Sequence, residues 1–465
     1  MRARLADAAG DGAAARDALQ LALAHDPESP QLRVVYAEAL ARAGQGDRAE
    51  AEARRAVELA PPGVAATDAH LILGKVLALA GRTEAALREL EAAAQIEAQL
   101  VRARREGEDD DAFDPEPWRV LARVRLDAGD DVGAAAACEQ LSAFDPAEAA
   151  AVLRELAGRL LEAKKTDVAE KLVRRAIDLA PSVPEAWKLL ARLQEDRERL
   201  VEARVAWERA LVADPDDPDA LVAAGELALR TGDLAGARAW LGKLLRTAVD
   251  EKGARVRVAA AWLDAKQPAE ALAAVAGGEG GEGGEGGEGD ARLIYLRGVA
   301  LQQLRRWGDA AAAFAEVKPS SRDLYGSARV GLTYVLARAG RPGEAVRAAR
   351  RGLEEDPADP ALLFALGEAY DRAGQRDAAL VQMRAVLAVK VDHAEALNYL
   401  GYAYAERGER LDEAQALLER ALQVEPENGY YLDSLGWVYF KKGDLERAVK
   451  ALERAEALVG SEATI

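Results

Sequence analysis

The sequence predicts an all-α protein built from stacked helix–turn–helix units, and three observations predict this fold class. Half of the 465 residues are apolar but only 5% are aromatic, so alanine and leucine must fill the interior, as in closely packed helices. A small residue recurs with a period of 34 along nearly the whole chain. Proline recurs near the ends of these units, where a helix has to stop.

Each unit is defined by a small residue, here called the anchor, that is followed twelve positions later (thirteen in one unit) by alanine. Thirteen units align in this way, and nine of their twelve spacings are 34 or 35. Twelve anchors are glycine or alanine, because two antiparallel helices approach closely only where the crossing point carries no bulky side chain. The anchors are Ala3, Ala37, Gly74, Ala122, Ala157, Ala191, Gly225, Ala259, Gly298, Thr333, Gly367, Gly401 and Gly436.

Proline marks the predicted end of the second helix in seven units, since its fixed φ suits the turn into the next unit. These residues are Pro27, Pro61, Pro146, Pro181, Pro215, Pro357 and Pro426.

Two insertions interrupt the period. Residues 101–114 are predicted to extend a helix and then form an acidic turn. Residues 277–290, GGEGGEGGEGGEGD, are predicted to be a flexible linker, because glycine has no side chain to pack and the glutamates repel one another. We therefore expect an N-terminal block over 1–276, with about eight units of which the first is truncated, and a C-terminal block of five units over 291–465. The linker is predicted to be a hinge, or alternatively a surface loop with no mechanical role.

Composition argues against several functional classes. The net charge of −18 argues against a general binder of nucleic acid or anionic membranes, which would repel the chain. A single cysteine rules out an intramolecular disulfide and a cysteine-based zinc site, and the three histidines lie far apart. No window has the roughly 18 apolar residues that a membrane helix needs.

Two motifs that resemble binding sites do not have the required context. GEGGEG at 278–283 matches a dinucleotide fingerprint but follows a helix, and its glutamates would repel phosphate. DPDDPD at 214–219 begins like a calcium loop but has proline at the fifth place, so we interpret it as a turn between units. Cys138 is interpreted as a small core residue. The sequence thus predicts no enzyme, no cofactor and no metal site.

The 34-residue unit with these small and large positions resembles the tetratricopeptide repeat, and the resemblance covers almost the whole chain. It implies a right-handed α-solenoid, or superhelix, of stacked helix–turn–helix units whose first helices line a concave, ligand-binding groove. When the anchor is numbered eight, the resemblance also places the fifth and ninth residues of each unit on that concave face.

In units three to six, six of these eight positions are basic and predict a positive ladder that would bind an acidic segment or a C-terminal carboxylate of a partner. The ladder consists of Lys75, Arg119, Arg123, Arg154, Lys188 and Arg192. The alternative is pairing within one helix, Arg123 with Asp127 and Arg192 with Asp196, since both pairs have i,i+4 spacing.

In units nine to thirteen the fifth and ninth positions and their neighbours predict an aromatic groove with a few polar points, suited to a peptide. The predicted groove residues are Tyr295, Tyr334, Phe364, Asn398, Tyr402, Tyr430, Asp433, Trp437 and Phe440. Val299, Val330 and Glu368 occupy the remaining fifth and ninth positions. Alternatively, several of these rings pack between neighbouring helices.

These features predict a non-catalytic scaffold that binds protein or peptide segments, in the setting of a bacterial assembly complex. Two alternatives stay open: the repeat portion of an envelope-associated biogenesis lipoprotein, and the substrate-recruiting module of an enzyme on another chain or upstream. A cytoplasmic location is expected if the chain is complete, and a periplasmic or envelope location if a leader has been removed. The ends of the array lack polar closing helices, so we expect either that the chain is a fragment of a longer protein or that a partner covers these ends.

Overall fold

The computed structural model describes residues 12–104, 114–276 and 291–462, and 82% of these residues are helical. The described residues form helices and turns and contain no strand, which confirms the all-α fold class. None of the described helices is long and apolar enough to cross a bilayer. The helices are α1 (Gly12–His25), α2 (Pro30–Arg42), α3 (Gly46–Leu59), α4 (Val64–Leu79), α5 (Thr83–Arg104), α6 (Glu116–Asp127), α7 (Asp131–Ser142), α8 (Pro146–Glu162), α9 (Thr166–Leu179), α10 (Pro184–Asp196), α11 (Leu200–Ala213), α12 (Pro218–Arg230), α13 (Leu234–Thr247), α14 (Glu251–Asp264), α15 (Pro268–Ala276), α16 (Ala291–Gln303), α17 (Trp307–Glu316), α18 (Arg322–Arg338), α19 (Pro342–Glu355), α20 (Pro360–Arg372), α21 (Arg376–Val389), α22 (Ala394–Arg407), α23 (Leu411–Val424), α24 (Gly429–Lys442) and α25 (Leu445–Glu462).

The helices follow the predicted order of units. α1 is the second helix of the first unit, and α2 to α25 alternate along the described part of the chain as the first and second helices of the twelve remaining units. Two compact units are present, Met1–Leu227 and Ala228–Ile465. Within each of them, successive first helices lie side by side, as α6 does with α8 and α16 with α18.

The predicted linker, 277–290, and the first anchor, Ala3, lie outside the described residues. The two helices that flank the linker, α15 and α16, pack against each other within the second compact unit. The division of the chain at 277–290 and its role as a hinge therefore stay predictions. The helical extension predicted before the acidic turn is confirmed, since α5 runs to Arg104.

The anchors lie where the two helices of a pair touch. A Cβ atom built on Gly367 would lie 2.6 Å from Met383 Cε, and one on Gly74 would lie 2.6 Å from Leu90 Cγ. In both cases the contacting side chain belongs to the second helix, sixteen residues after the anchor. On Gly401 a Cβ would also lie 3.0 Å from the carbonyl oxygen of Ala414, the alanine that defines the repeat. The predicted steric reason for small anchors is thus confirmed.

The turn inside each pair has a left-handed residue seven positions after the anchor. Glycine occupies this position in eight pairs, at Gly44, Gly81, Gly129, Gly232, Gly340, Gly374, Gly408 and Gly443. In the other four pairs it is Lys164, Glu198, Lys266 or Arg305. A positive φ is unfavourable for a residue with a side chain, so these four turns depend on the packing of their helices.

Six of the seven proline predictions are confirmed, since the preceding helix ends two residues before the proline in each case. Pro146 differs, because it is the first residue of α8 and Asp145 caps that helix by accepting a hydrogen bond from Glu148 N. The turn interpretation of DPDDPD is also confirmed. Asp217 Oδ1 accepts from Asp219 N and Ala220 N at the start of α12, both at 2.9 Å.

Cys138 is fully buried in α7. Burial raises the pKa of its thiol to about 12, with a further contribution from neighbouring Glu139. The thiol therefore stays protonated at neutral pH, which agrees with a packing role.

Replacement of an anchor should destabilise the protein, whereas replacement of an uncrowded helical glycine should not. We expect Gly401→Ala to lower the free energy of unfolding by about 1–3 kcal/mol, because the new methyl group meets Leu418 and a rigid backbone oxygen. Gly158→Ala, within α8, has no atom within 4 Å of the added Cβ and should raise it by about 0.5–1 kcal/mol. Urea unfolding of both variants beside the wild type measures this, and a neutral Gly401→Ala would contradict the packing account.

Candidate functional site

A cavity of about 580 Å³ lies within the second compact unit. Its walls come from the first helices of three successive pairs, α16, α18 and α20, and from the start of α22. The rings of Tyr295, Tyr334 and Phe364, one from each of the three helices, line it. The cavity thus lies on the face formed by first helices, and its size is typical of ligand sites.

The spacing of the lining residues explains why they meet. Two residues four apart on a helix share one face, and each of the three helices contributes such a pair at its fifth and ninth positions. The pairs are Tyr295 with Val299, Val330 with Tyr334, and Phe364 with Glu368. Six of the ten fifth and ninth positions in the C-terminal units therefore line a single cavity.

Phe314 of α17 contributes a buried aromatic ring to this cavity and is only 1% exposed. Glycines on both neighbouring first helices make room for the ring. A Cβ on Gly298 would lie 2.6 Å from Phe314 Cε1, and one on Gly331 would lie 2.8 Å from its Cζ. Arg329 Nη2 donates to the Phe314 carbonyl oxygen at 3.1 Å and so holds the last turn of α17 in place.

Three carboxylates line the cavity, and two of them have partners. Asp359 caps α20 by accepting from Ala361 N at 2.8 Å. Glu395 Oε2 lies 3.1 Å from His393 Nδ1, which donates to it only when that nitrogen is protonated and otherwise accepts from Ala396 N at 3.4 Å. Glu368 has no ion-pair or hydrogen-bond partner among the described residues.

Glu368 is accessible to solvent yet surrounded by protein on the cavity wall. Burial raises the pKa of Glu368 above its ordinary value, against the lowering effect of the cations Arg372 and Arg338. The charges of Asp371 and Glu395 raise it further. The folded protein therefore places a carboxylate where its charged form is disfavoured.

The other predicted groove residues lie on α22 and α24, outside this cavity. Asn398 Oδ1 and Trp437 Nε1 are buried atoms that have no hydrogen-bond partner among the residues the structure describes. The Trp437 ring stacks on Phe440 with centroids 5.3 Å apart. Tyr402, Tyr430, Asp433 and Phe440 are exposed.

The alternative prediction, that several rings of the predicted groove pack between neighbouring helices, holds for some of these rings and not for others. Tyr295, Phe364 and Trp437 are partly buried against the core, whereas Tyr334 and Tyr402 are exposed.

Four of the six ladder cations form ion pairs with carboxylates of the next unit along the chain. Lys75 Nζ lies 2.9 Å from Glu116 Oε1, and Lys188 Nζ lies 2.5 Å from Asp217 Oδ2. Arg119 pairs with Glu148 and with Glu116, and Arg123 Nη2 lies 2.5 Å from Glu155 Oε1. The other two ladder cations, Arg154 and Arg192, form no ion pair with a carboxylate of the next unit among the described residues.

The pairing within one helix that the spacing suggested for Arg123 is not the contact observed. Asp127 pairs instead with Arg159 of α8. Successive first helices lie side by side, so the carboxylate of the next unit is within reach. These ion pairs therefore neutralise much of the predicted ladder and connect neighbouring units.

Sequence reasoning missed several cavity residues. Phe314 is detectable in hindsight, because it is a large residue accompanied by two glycines, Gly298 and Gly331. Glu368 was placed at a ninth position on the concave face but not chosen as a groove residue, although it is the only acidic residue among the ninth positions of the last five units. The stacking of His393 on Phe364, with centroids 5.0 Å apart, has no sequence signal, because it depends on how two units stack.

Comparison with known families gives matches at several places along the chain. Two profiles described as "Tetratricopeptide repeat" match it, one at residues 154–218, 203–251 and 405–463 and the other at 8–66 and 336–400. Together these matches cover more than half of the chain.

A curated relative is the "TPR repeat-containing protein PA4667" of Pseudomonas aeruginosa, 33% identical over 112 residues. The match covers 24% of this chain and 19% of the relative, so the chain spans about a fifth of the relative's length. Among solved structures, "Crystal structure of MamA protein" is 21% identical with a TM-score of 0.32 and covers 37% of this chain and 94% of that chain. "Crystal structure of APC/C hetero-tetramer Cut9-Hcn1" is 13% identical with a TM-score of 0.39 and covers 98% of this chain and 92% of that chain.

The charge of Glu368 should reduce the stability of the folded protein at neutral pH. We expect Glu368→Gln to raise the free energy of unfolding at pH 7, because it removes a charge that the folded state disfavours. The gain should disappear as the pH falls below about 4.3, the ordinary pKa of glutamate, where the side chain is protonated in both states. Urea unfolding across a pH series measures the difference.

Asp217→Asn is a control variant for which we expect the opposite change in the free energy of unfolding. Burial raises the pKa of Asp217, but the hydrogen bonds from Lys188 and Ala220 N more than offset it, so the pKa lies below its ordinary value. This variant should therefore lower stability at pH 7, and its cost should disappear as the pH falls through the lowered pKa. A pH-independent effect of Glu368→Gln would contradict the assignment of a disfavoured charge.

Proposed function

We propose that this chain, which belongs to the tetratricopeptide repeat family, is a non-catalytic scaffold that binds a segment of a protein partner on the face formed by α16, α18 and α20. Proteins of this family bind protein partners. The aromatic cavity of the second compact unit supports this proposal most strongly.

Aromatic rings in a cavity are effective anchors for a peptide. They bury a large area at a low cost in side-chain entropy, and they are enriched among the residues that dominate binding energy. Tyr295, Tyr334 and Phe364 surround a space of about 580 Å³, which is larger than one side chain and fits a short stretch of peptide.

The first helices that follow carry exposed aromatic rings. Tyr402 of α22 and Tyr430 and Phe440 of α24 are exposed, so they are accessible as further anchors for a bound segment. We therefore infer that the bound segment continues from the cavity toward α22 and α24.

The charge pattern of the first compact unit favours the second unit as the binding site. Four ladder cations of the first compact unit already pair with carboxylates of the next helix–turn–helix repeat in that same compact unit. An acidic ligand would have to displace those carboxylates, which reduces the net gain from each contact.

Selection from a displayed peptide library tests the proposal. We expect the wild-type protein to enrich specific sequences, and Tyr334→Ala/Phe364→Ala to bind the selected peptides at least about tenfold more weakly, because truncated aromatic anchors each cost more than about 1 kcal/mol.

The matched control is Val381→Ala/Val391→Ala, which shortens two exposed apolar side chains outside the cavity. This control should bind the peptides as the wild type does. Equal binding by the wild type and the aromatic double variant would refute the site.

A further inference from the structure

The charged groups of the cavity indicate the chemistry of the side chain that it accepts. Asp359, Glu368 and Glu395 are acidic, whereas Arg372 is the one basic side chain among the described lining residues apart from His393. The aromatic walls thus enclose an excess of negative charge. A cation is attracted both to the face of a ring within about 6 Å and to a carboxylate.

Glu368 is the carboxylate available to a ligand. Asp359 is occupied as a helix cap and Glu395 lies beside His393. The first compact unit offers a contrast, because the carboxylates facing its ladder, Glu148 among them, are paired with cations of the preceding unit.

The two cations whose charges act on Glu368, Arg338 and Arg372, form no ion pair with it in the described part of the chain. Arg338 Nε donates to Tyr334 Oη at 3.1 Å, and its guanidinium lies 5.4 Å from the centre of that ring. Arg372 lies one turn after Glu368 on the same helix and forms no ion pair with it in the described structure. An accessible carboxylate thus lies on the cavity wall with Phe364 and Tyr334 and forms no direct ion pair with these cations in the described structure.

Resting on the proposed function, we propose that the cavity accepts a lysine or arginine side chain of the partner segment, with Glu368 as its counter-ion and Tyr295, Tyr334 and Phe364 as the aromatic wall. The aliphatic stem of the basic residue packs against the rings, and its charged end reaches Glu368. The partner is therefore a segment with a basic residue at its anchor position, flanked by apolar residues.

Four peptide libraries with the same random flanks and one fixed central residue test this inference. The central residue is arginine, lysine, norleucine or glutamate, and norleucine keeps the aliphatic stem without the charge. Binding is measured by fluorescence anisotropy at physiological ionic strength, which limits non-specific attraction to this acidic protein.

We expect the wild type to bind the arginine and lysine libraries about tenfold more tightly than the norleucine library. Glu368→Gln should reduce this preference to about twofold. Glu368→Lys should reverse it, so that the glutamate library binds best. Glu453→Gln, which removes one charge from an exposed position on α25, should keep the wild-type preference.

Two results would overturn the inference while leaving the proposed function intact. One is equal binding of the arginine and norleucine libraries by the wild type. The other is a preference for the arginine and lysine libraries that persists in Glu368→Gln. Both results count in this way only if Tyr334→Ala/Phe364→Ala abolishes the binding. Binding that is absent, or unaffected by that double variant, would instead refute the proposed function and this inference together.

Discussion

The close crossing of two helices at a residue without a bulky side chain is the constraint on which this structure depends. At Gly74, Gly367 and Gly401 the space that a Cβ would occupy is filled by a leucine or methionine of the second helix. Because this contact recurs along the chain, successive first helices lie side by side within each compact unit. The fifth and ninth positions then lie on one face and are free to carry residues that the packing does not require.

Ion pairs between neighbouring units form a second, weaker level of periodicity. Arg197 pairs with Asp167, Arg407 with Asp377 and Lys442 with Asp412, each cation lying thirty residues after its carboxylate. Each exposed pair contributes little, because solvent screens its charges. Glu368 differs from these carboxylates because it lies with aromatic rings on a cavity wall, where burial raises its pKa. A perturbed carboxylate in a cavity is characteristic of functional sites.

The repeat and its register were predictable from the sequence because steric exclusion at the anchors leaves small residues at a fixed period. The same register brought Tyr295, Tyr334 and Phe364 to one face. It did not predict the pairing of Lys188 with Asp217, since that contact depends on how two units stack rather than on spacing within a helix. The lining of the cavity by Phe314 was not predicted either, although Gly298 and Gly331, which make room for its ring, are a signal in the sequence. The boundary of the compact units at Leu227 and Ala228 lies within α12, where neither an insertion nor a linker marks it in the sequence.

Photo-crosslinking from within the cavity tests the central claim, that the face formed by α16, α18 and α20 binds a protein segment. A photoreactive phenylalanine replaces either Val330, which lines the cavity, or Val381, which is exposed on α21 outside it. Each protein is irradiated with a peptide selected by the wild type, and the crosslinked residue is identified by mass spectrometry. The account predicts crosslinking from position 330 and none from position 381. Crosslinking from position 381 alone would contradict it.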